Sequence, residues 1–166
     1  MYRRIPKKRK RFAADKYLLL FLVLTITSSC QLQTKKYMED TKANKAFILE
    51  MIGEKKKLED YPDKASDSMV VYEPSSLPFG GVYKGINAYE KFYPEVRKFY
   101  DFSRFELINV YAEADVVFAI IKAGIAHTND NILLCEQFTF KEGKIVEVRL
   151  YIHDFPEKSI HSLISK

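Results

Sequence analysis

The chain of 166 residues has no tryptophan and only two cysteines, Cys30 and Cys135. So few cysteines exclude a disulfide-rich scaffold, and the absence of a Cys and His cluster at ligand spacing excludes a zinc finger. Six glycines, six prolines and a 47% hydrophobic composition are unlike a fibrous or disordered chain. We therefore expect a domain that depends on its hydrophobic core, with no metal and no cofactor.

The net charge of +5 is concentrated at the start of the chain. Residues 1–30 hold eight of the 27 Lys and Arg residues and one of the 22 Asp and Glu residues. The rest of the chain is slightly acidic and lacks the basic surface that binds phosphate backbones. Nucleic acid is therefore not an expected partner.

Residues 1–30 have the three parts of an export signal. A basic segment through Lys16 is followed by the apolar run Leu18–Thr27 and by small residues that end at Cys30. The apolar run is about half the length of about 20 residues that a membrane-spanning helix needs. A cleaved signal is therefore favoured, while an uncleaved short anchor stays open.

The end of this leader, Ile26–Cys30, resembles a bacterial lipobox. The resemblance implies that a lipid is attached to Cys30 and anchors the protein in the cell envelope, on the extracytoplasmic side of a membrane. A plain signal peptide with an incidental cysteine is the alternative.

Length and composition leave room for one domain behind the leader. We predict a signal peptide over 1–30, a tether over 31–37, a single domain over 38–157 and a C-terminal tail over 158–166.

Within the predicted domain, helical spacing of apolar residues gives way to strand spacing. We predict an amphipathic helix from about Met38 to Leu58 and a short helix that ends at about Ser66. A third predicted helix begins at Ile86 and has one largely aromatic face, formed by Tyr89, Tyr93, Val96 and Tyr100. The predicted strands are Met69–Tyr72, before a loop over Pro74–Gly85, and then Phe105–Tyr111, Val116–Ala126, Ile132–Phe140 and Ile145–Ile152. Helices first and strands afterwards predict an α+β fold.

Two segments resemble the nuclear transport factor 2-like (cystatin-like) superfamily. Leu77–Gly85 is similar to a loop of its SnoaL-like branch, and Phe138–Arg149 is similar to its C-terminal hairpin. The likeness covers about residues 40–156. It implies a cone-shaped, curved antiparallel sheet wrapped by about three N-terminal helices. Function varies within this superfamily, which includes isomerases, dehydratases and polyketide cyclases.

Two glutamates, Glu73 and Glu136, are candidate catalytic residues. Glu136 alternates with Phe138 and Phe140 on an otherwise apolar face, where burial would raise its pKa toward neutrality. Glu73 stands before Pro74, at the entrance to the glycine-containing loop. The alternatives are a solvated strand-end role for Glu73 and a salt bridge from Glu136 to a cation across the sheet, either Arg149 or Lys122.

A likeness to ketosteroid isomerase implies roles for the same two residues. In that enzyme an Asp base works beside an oxyanion hole made from a Tyr and a protonated Asp. The likeness implies that Glu73 is the base and Glu136 the protonated acid. Where the enzyme's first helix supplies its Tyr, this chain has Phe47, Ile48 or Leu49, so steroid isomerisation itself is not expected.

Aromatic residues and the end of the last strand are candidates for a ligand pocket. The predicted lining residues are Tyr72, Phe79, Tyr83, Phe92, Tyr93, Tyr151, His153 and Asp154. The aromatic residues among them would equally serve as core, since the chain has 12 Phe and 11 Tyr to accommodate.

Three functions are compatible with the leader, the two glutamates and the aromatic residues. We favour a lipid-anchored protein that binds a small hydrophobic molecule in an apolar pocket. The second is an acid–base enzyme of isomerase, cyclase or dehydratase type that uses Glu73 and Glu136. The third is a homodimerisation or protein-interaction module whose cone is filled by its own aromatic side chains.

Overall fold

The computed structural model describes residues 35–153. The helical elements are α1 over residues 35–53, 3-10 turns at Leu58–Asp60 and Pro62–Lys64, and α2 at Ala88–Phe99. The strands are β1 (Ala65–Glu73), β2 (Gly81–Lys84), β3 (Tyr100–Glu113), β4 (Val116–Ile125), β5 (Asn131–Lys141) and β6 (Lys144–His153). All six strands belong to one compact unit of the chain, which begins at Glu39.

The predicted segments at the two ends of the chain lie mostly outside the described residues. The leader 1–30 with Cys30, and the tail 158–166, are among them. The last residues of the predicted tether 31–37, residues 35–37, are helical. Neither helix in the described part of the chain is long and apolar enough to cross a membrane.

The six strands form one sheet in the order β2-β1-β6-β5-β4-β3. Neighbouring strands are antiparallel except β1 and β6, which run parallel. Register shifts within β3 and between β5 and β6 mark bulges, which bend long strands. The result is a curved sheet with helices, and it confirms the α+β cone predicted from the sequence. The prediction of a wholly antiparallel sheet is wrong, because the parallel pairing of β1 with β6 makes the sheet mixed.

The core lies on the concave face of this sheet. The even-numbered residues of β5, with the exception of Glu136, are buried there: Ile132, Leu134, Phe138 and Phe140. Helix α1 covers them with its predicted apolar face of Phe47, Ile48, Met51 and Ile52. Helix α2 buries Ala88, Phe92, Val96 and Phe99, so Tyr89 and Tyr93 lie at the flank of its buried face.

Two predicted elements differ from the structure. The loop predicted over Pro74–Gly85 contains strand β2, which pairs with β1 from Val70 to Glu73. The short second helix consists of two 3-10 turns, and β1 begins at Ala65, four residues before the predicted start at Met69. Strand β2 forms a hairpin with its neighbour β1, whereas the early start of β1 depends on Ala65 pairing with Ile145, which is distant in the sequence.

The loop between β1 and β2 is closely packed against its own backbone. Leu77 N–H donates to the Pro74 carbonyl at 3.0 Å, and Gly80 N–H donates to the Leu77 carbonyl at 2.9 Å. The Tyr83 hydroxyl donates to the Phe79 carbonyl at 2.7 Å. A Cβ at Gly80 would overlap the Pro74 carbonyl oxygen. Position 80 therefore requires glycine, because the backbone at Pro74 passes too close to leave space for a side chain.

We expect Gly80→Ala to lower the free energy of unfolding by about 1–3 kcal/mol, the usual range for inserting a methyl group where there is no space. The control is Gly53→Ala at the end of α1, where a Cβ would meet Leu107 Cδ2 at an ordinary 3.7 Å. The control should be neutral or raise stability by up to about 1 kcal/mol, because alanine favours helix. Urea denaturation measures both, and equal effects would contradict this account of the loop.

Candidate functional site

A cavity of about 740 Å³ lies between the concave face of the sheet and the two helices. Its inner wall is apolar and comes from four elements, with Phe92 on α2, Ile121 on β4, Leu134 and Phe138 on β5, and Leu150 on β6. Its mouth is marked by exposed residues of the segment 55–60 after α1 and by Arg97 on α2. A cavity of this size is in the range that binds small molecules, about 300–1,000 Å³. The cone is therefore not filled by its own aromatic side chains.

The cavity brings Glu73 and Glu136 together on one row across three strands. Strands β1 and β6 are parallel with Tyr72 opposite Arg149, which places Glu73 beside Leu150. Leu150 in turn pairs with Glu136 on β5. Strands lie about 4.8 Å apart, so the two glutamate Cα atoms are about 10 Å apart along the row. Both side chains line the cavity.

Burial raises the pKa of both carboxyl groups. Desolvation raises the pKa of Glu136 to about 7. The pKa of Glu73 is raised to about 8 by desolvation first and then by the charge on Glu136. Both residues keep some exposed area, which lies on the cavity wall. At a pH between these two pKa values the pair as a whole holds one proton.

Neither glutamate has the cationic partner that the sequence left open. Arg149 Nη2 contacts Glu147 Oε1 at 3.1 Å and its guanidinium lies over the Tyr72 ring at 4.0 Å. Lys122 contacts Glu106 at 3.8 Å. The predicted pairing of Glu136 with either cation is therefore wrong.

Glu73 is also not a solvated strand-end residue. Its Oε2 atom is buried without a hydrogen-bond partner among the described residues. A buried polar atom without a hydrogen bond lowers the free energy of unfolding by about 1–3 kcal/mol.

Two tyrosines at this site were missed as site residues in the sequence. Tyr100 lines the cavity, and its hydroxyl is buried without a hydrogen-bond partner in the described part of the chain. Burial, followed by Glu73 and Glu136, raises the pKa of Tyr100 well above its usual value. Tyr89 also lines the cavity, and its pKa is raised by burial and by the same two carboxyl groups. The helical spacing of Tyr89 from Tyr93 was the signal that could have identified Tyr89.

The predicted pocket residues divide into three groups. Phe79, Phe92 and Tyr93 line the cavity as expected. Tyr83 does not line it but packs on Phe92, with ring centroids 4.5 Å apart. The prediction is therefore wrong for Tyr83, and it is also wrong for Tyr72, Tyr151 and His153, which do not line the cavity. Asp154 lies outside the described residues.

The alternation of side chains along a strand explains the errors at Tyr72, Tyr151 and His153. Val71 and Glu73 face the cone on β1, so Tyr72 faces the other way, under Arg149. Leu150 faces the cone on β6, so Tyr151 and His153 are on the outer face. The Tyr151 hydroxyl donates there to Gln137 Oε1 at 3.0 Å.

The fold is shared with solved structures of low sequence identity. A candidate SnoaL-like polyketide cyclase from Jannaschia sp. CCS1 has a TM-score of 0.57 and 15% identity, over 75% of this chain and 93% of that one. A candidate ketosteroid isomerase from Kribbella flavida has a TM-score of 0.55 and 11% identity, over 70% and 82%. An NTF2-like protein of unknown function from Mesorhizobium loti has a TM-score of 0.53 and 17% identity, over 70% and 93%.

No protein-family model and no curated protein sequence matches the chain. At these identities the likeness to the solved structures shows the fold, an NTF2-like cone, and does not assign an activity.

The raised pKa values predict a stability that depends on pH. The folded state binds the two protons more tightly than the unfolded chain, whose carboxyl pKa is near 4.5. Stability is therefore greatest below this value and falls as the pH rises through about 7 and about 8.

Glu136→Gln removes one of the two carboxyl groups whose ionisation destabilises the folded state. We expect it to be about 3 kcal/mol more stable than the unmodified chain above about pH 8, since the pKa of Glu136 is raised from 4.5 to about 7 and each tenfold change in proton affinity is worth about 1.4 kcal/mol. Below about pH 4.5 the two chains should have similar stability, because both side chains are then neutral. Glu113→Gln, at the exposed end of β3, is the control and should show no such difference. Urea unfolding across this pH range tests this, and parallel curves for Glu136→Gln and the unmodified chain would contradict it.

Proposed function

We propose that the domain binds a small, largely apolar carbonyl compound in its cone and moves a proton at the carbon next to the carbonyl. The observation that carries this proposal is a pair of buried carboxyl groups in one cavity, with pKa values of about 7 and about 8. A general base is most effective when its pKa lies near the working pH, and few carboxyl groups reach that range without a purpose-built environment.

The proposed chemistry needs one charged and one neutral carboxyl group. The Glu136 carboxylate removes the proton from the carbon, and the electron pair of the broken C–H bond moves onto the carbonyl oxygen. Protonated Glu73 and the Tyr100 hydroxyl are the donors available to the oxyanion. Glu136 then returns the proton to the same carbon or to a conjugated one, which gives exchange or isomerisation.

This assignment exchanges the roles that the likeness to ketosteroid isomerase implied. We propose Glu136 as the base because burial alone raises its pKa, and Glu73 as the donor because the charge on Glu136 additionally favours its neutral form. Tyr100 comes from the junction of α2 and β3, and it takes the place of the tyrosine that α1 lacks. Binding without catalysis, the function that the sequence favoured, needs the same cavity but neither raised pKa.

Proton transfer can be tested without the natural substrate. The probe is 2-tetralone, an apolar ketone, whose α-hydrogen exchange in D₂O is followed by NMR. We expect exchange above background, with Glu136→Gln slowing it by about 10²–10⁴-fold, the usual contribution of a general base. Glu73→Gln should lose about tenfold or less, because the glutamine amide still donates a hydrogen bond. Tyr100→Phe should lose about 10²-fold or less, as for one oxyanion donor.

Each other outcome has a definite meaning. A complete loss in Glu73→Gln with a mild loss in Glu136→Gln would restore the roles implied by the likeness. Exchange that no substitution changes, together with retained binding of 2-tetralone, would contradict catalysis at this pair and leave a binding protein. Glu113→Gln is the control and should keep full activity, since Glu113 is exposed and does not line the cavity.

We further propose that the protein is exported and lipid-anchored through Cys30 in the bacterial cell envelope. Support comes from the sequence of residues 1–30 alone, with its basic segment, apolar run and lipobox-like end. A membrane location would place the cone where apolar molecules concentrate.

Replacing Cys30 with alanine should abolish lipid attachment. Cells that express the unmodified chain should incorporate a radioactive fatty acid into it, and Cys30→Ala should not. Cys135→Ala is the matched control and should keep the label, because Cys135 lies within the folded domain on β5. Label that persists in Cys30→Ala would show that the lipoprotein assignment is wrong.

A further inference from the structure

A second, open hollow of about 820 Å³ adjoins the mouth of the cavity. The two share six lining residues: Lys55, Lys57, Tyr93, Arg97, Tyr100 and Phe102. A ligand that fills the cavity and emerges through its mouth would therefore enter the hollow. Because Tyr100 belongs to both, the hollow begins close to the two glutamates.

The hollow is cationic. Lys55, Lys57, Arg97 and Lys98 line it, and Lys98 is paired with Glu95 at 2.7 Å. Asp101 is its one acidic lining residue in the described part of the chain. The Asp101 carboxylate is already occupied, because it accepts from Ser103 N–H and Oγ–H and from Arg104 Nε. The acidic residues Glu59, Asp60 and Glu90 line the cavity but not the hollow. The positive charge at the mouth is therefore concentrated on one side.

Lys55 occupies a backbone conformation that usually requires glycine. Its φ is 54°, in the left-handed region. Lys55 N–H donates to the Ile52 carbonyl and Lys56 N–H to the Met51 carbonyl, the pair of bonds that ends a helix in a Schellman motif. A lysine at this position costs stability that glycine would not. Its side chain donates to the Phe102 carbonyl at 3.2 Å, at the wall that the cavity and the hollow share.

We propose that the ligand of this cone is an apolar molecule that ends in one anionic group, such as a carboxylate, sulfonate or phosphate ester. This inference rests on the proposed function and names its substrate class. The anionic end lies in the hollow between Lys55, Lys57 and Arg97, while the apolar body with its carbonyl enters the cavity. The charge on the glutamate pair repels the anionic end, so the ligand enters in one orientation.

Two fluorescent probes of nearly equal shape test this proposal. They are 1-anilinonaphthalene-8-sulfonate and N-phenyl-1-naphthylamine, which lacks the sulfonate. The full chain should bind the sulfonate at least about fivefold more tightly, as expected for a few exposed ion pairs. Raising NaCl from about 50 mM to about 500 mM should weaken sulfonate binding and leave amine binding unchanged.

Substitutions locate the anionic group. The double variant Lys55→Gly, Lys57→Gln should weaken sulfonate binding by about fivefold to tenfold and change amine binding by less than about twofold. Glycine at position 55 keeps the end of α1 intact, because it readily adopts the observed φ. The charge-matched control is Lys42→Gln with Lys141→Gln, two exposed lysines that line neither space.

The outcomes separate this inference from the proposed function. Equal binding of both probes, or sulfonate binding that neither salt nor the double variant weakens, would overturn the anionic-ligand proposal and leave the apolar cavity in place. If neither probe binds, both the cavity as a ligand site and the anionic end are wrong. Salt dependence is measured on the unmodified chain, so the test holds even if the double variant fails to fold.

Discussion

The register of β5 against its two neighbours is the constraint on which this site depends. Side chains alternate along a strand, so one register places Ile132, Leu134, Glu136 and Phe138 all in the cone. A shift by one residue would turn Glu136 outward and bring Cys135 and Gln137 inward. Ala119 lies opposite Glu136 on β4 and is small, which leaves space beside the carboxyl group. The apolar residues that set the register of β5 for the core therefore also set the direction in which Glu136, the candidate base, points.

Sequence reasoning was most successful where a pattern is local and long. The alternation of β5 and the helical spacing of α1 identified the concave face and the helix that covers it. It failed where both faces of a strand carry similar side chains. On β6, Leu150 and Tyr151 are both large and largely apolar, and composition does not show which of them faces inward. The pairing of β1 with β6, which joins residues about 80 positions apart, decides this, and no local pattern contains it.

Tyr100 was missed for a different physical reason. It lies where α2 ends and β3 begins, so the period changes from 3.6 to 2 at this residue. Neither periodicity alone predicts the direction of its side chain. Junctions of this kind are well suited to sites, because backbone turns there let one side chain leave the regular pattern. Three features of this region each reduce the stability of the fold, and all three lie at or beside the same cavity. They are the unsatisfied Tyr100 hydroxyl, the unsatisfied Glu73 Oε2 and the left-handed backbone of Lys55.

The electrostatics of the cavity also divide the roles among its polar groups. Burial and the two carboxyl groups raise the pKa of Tyr100, so its hydroxyl stays protonated near neutral pH and is available as a donor. Burial alone raises the pKa of Glu136, and the resulting charge then raises that of Glu73. The proposed division into one base and two donors is therefore consistent with desolvation and mutual repulsion, and among the described residues no cation forms a salt bridge with either glutamate. The cations are at the mouth instead, where an anionic ligand end would meet them without neutralising the base.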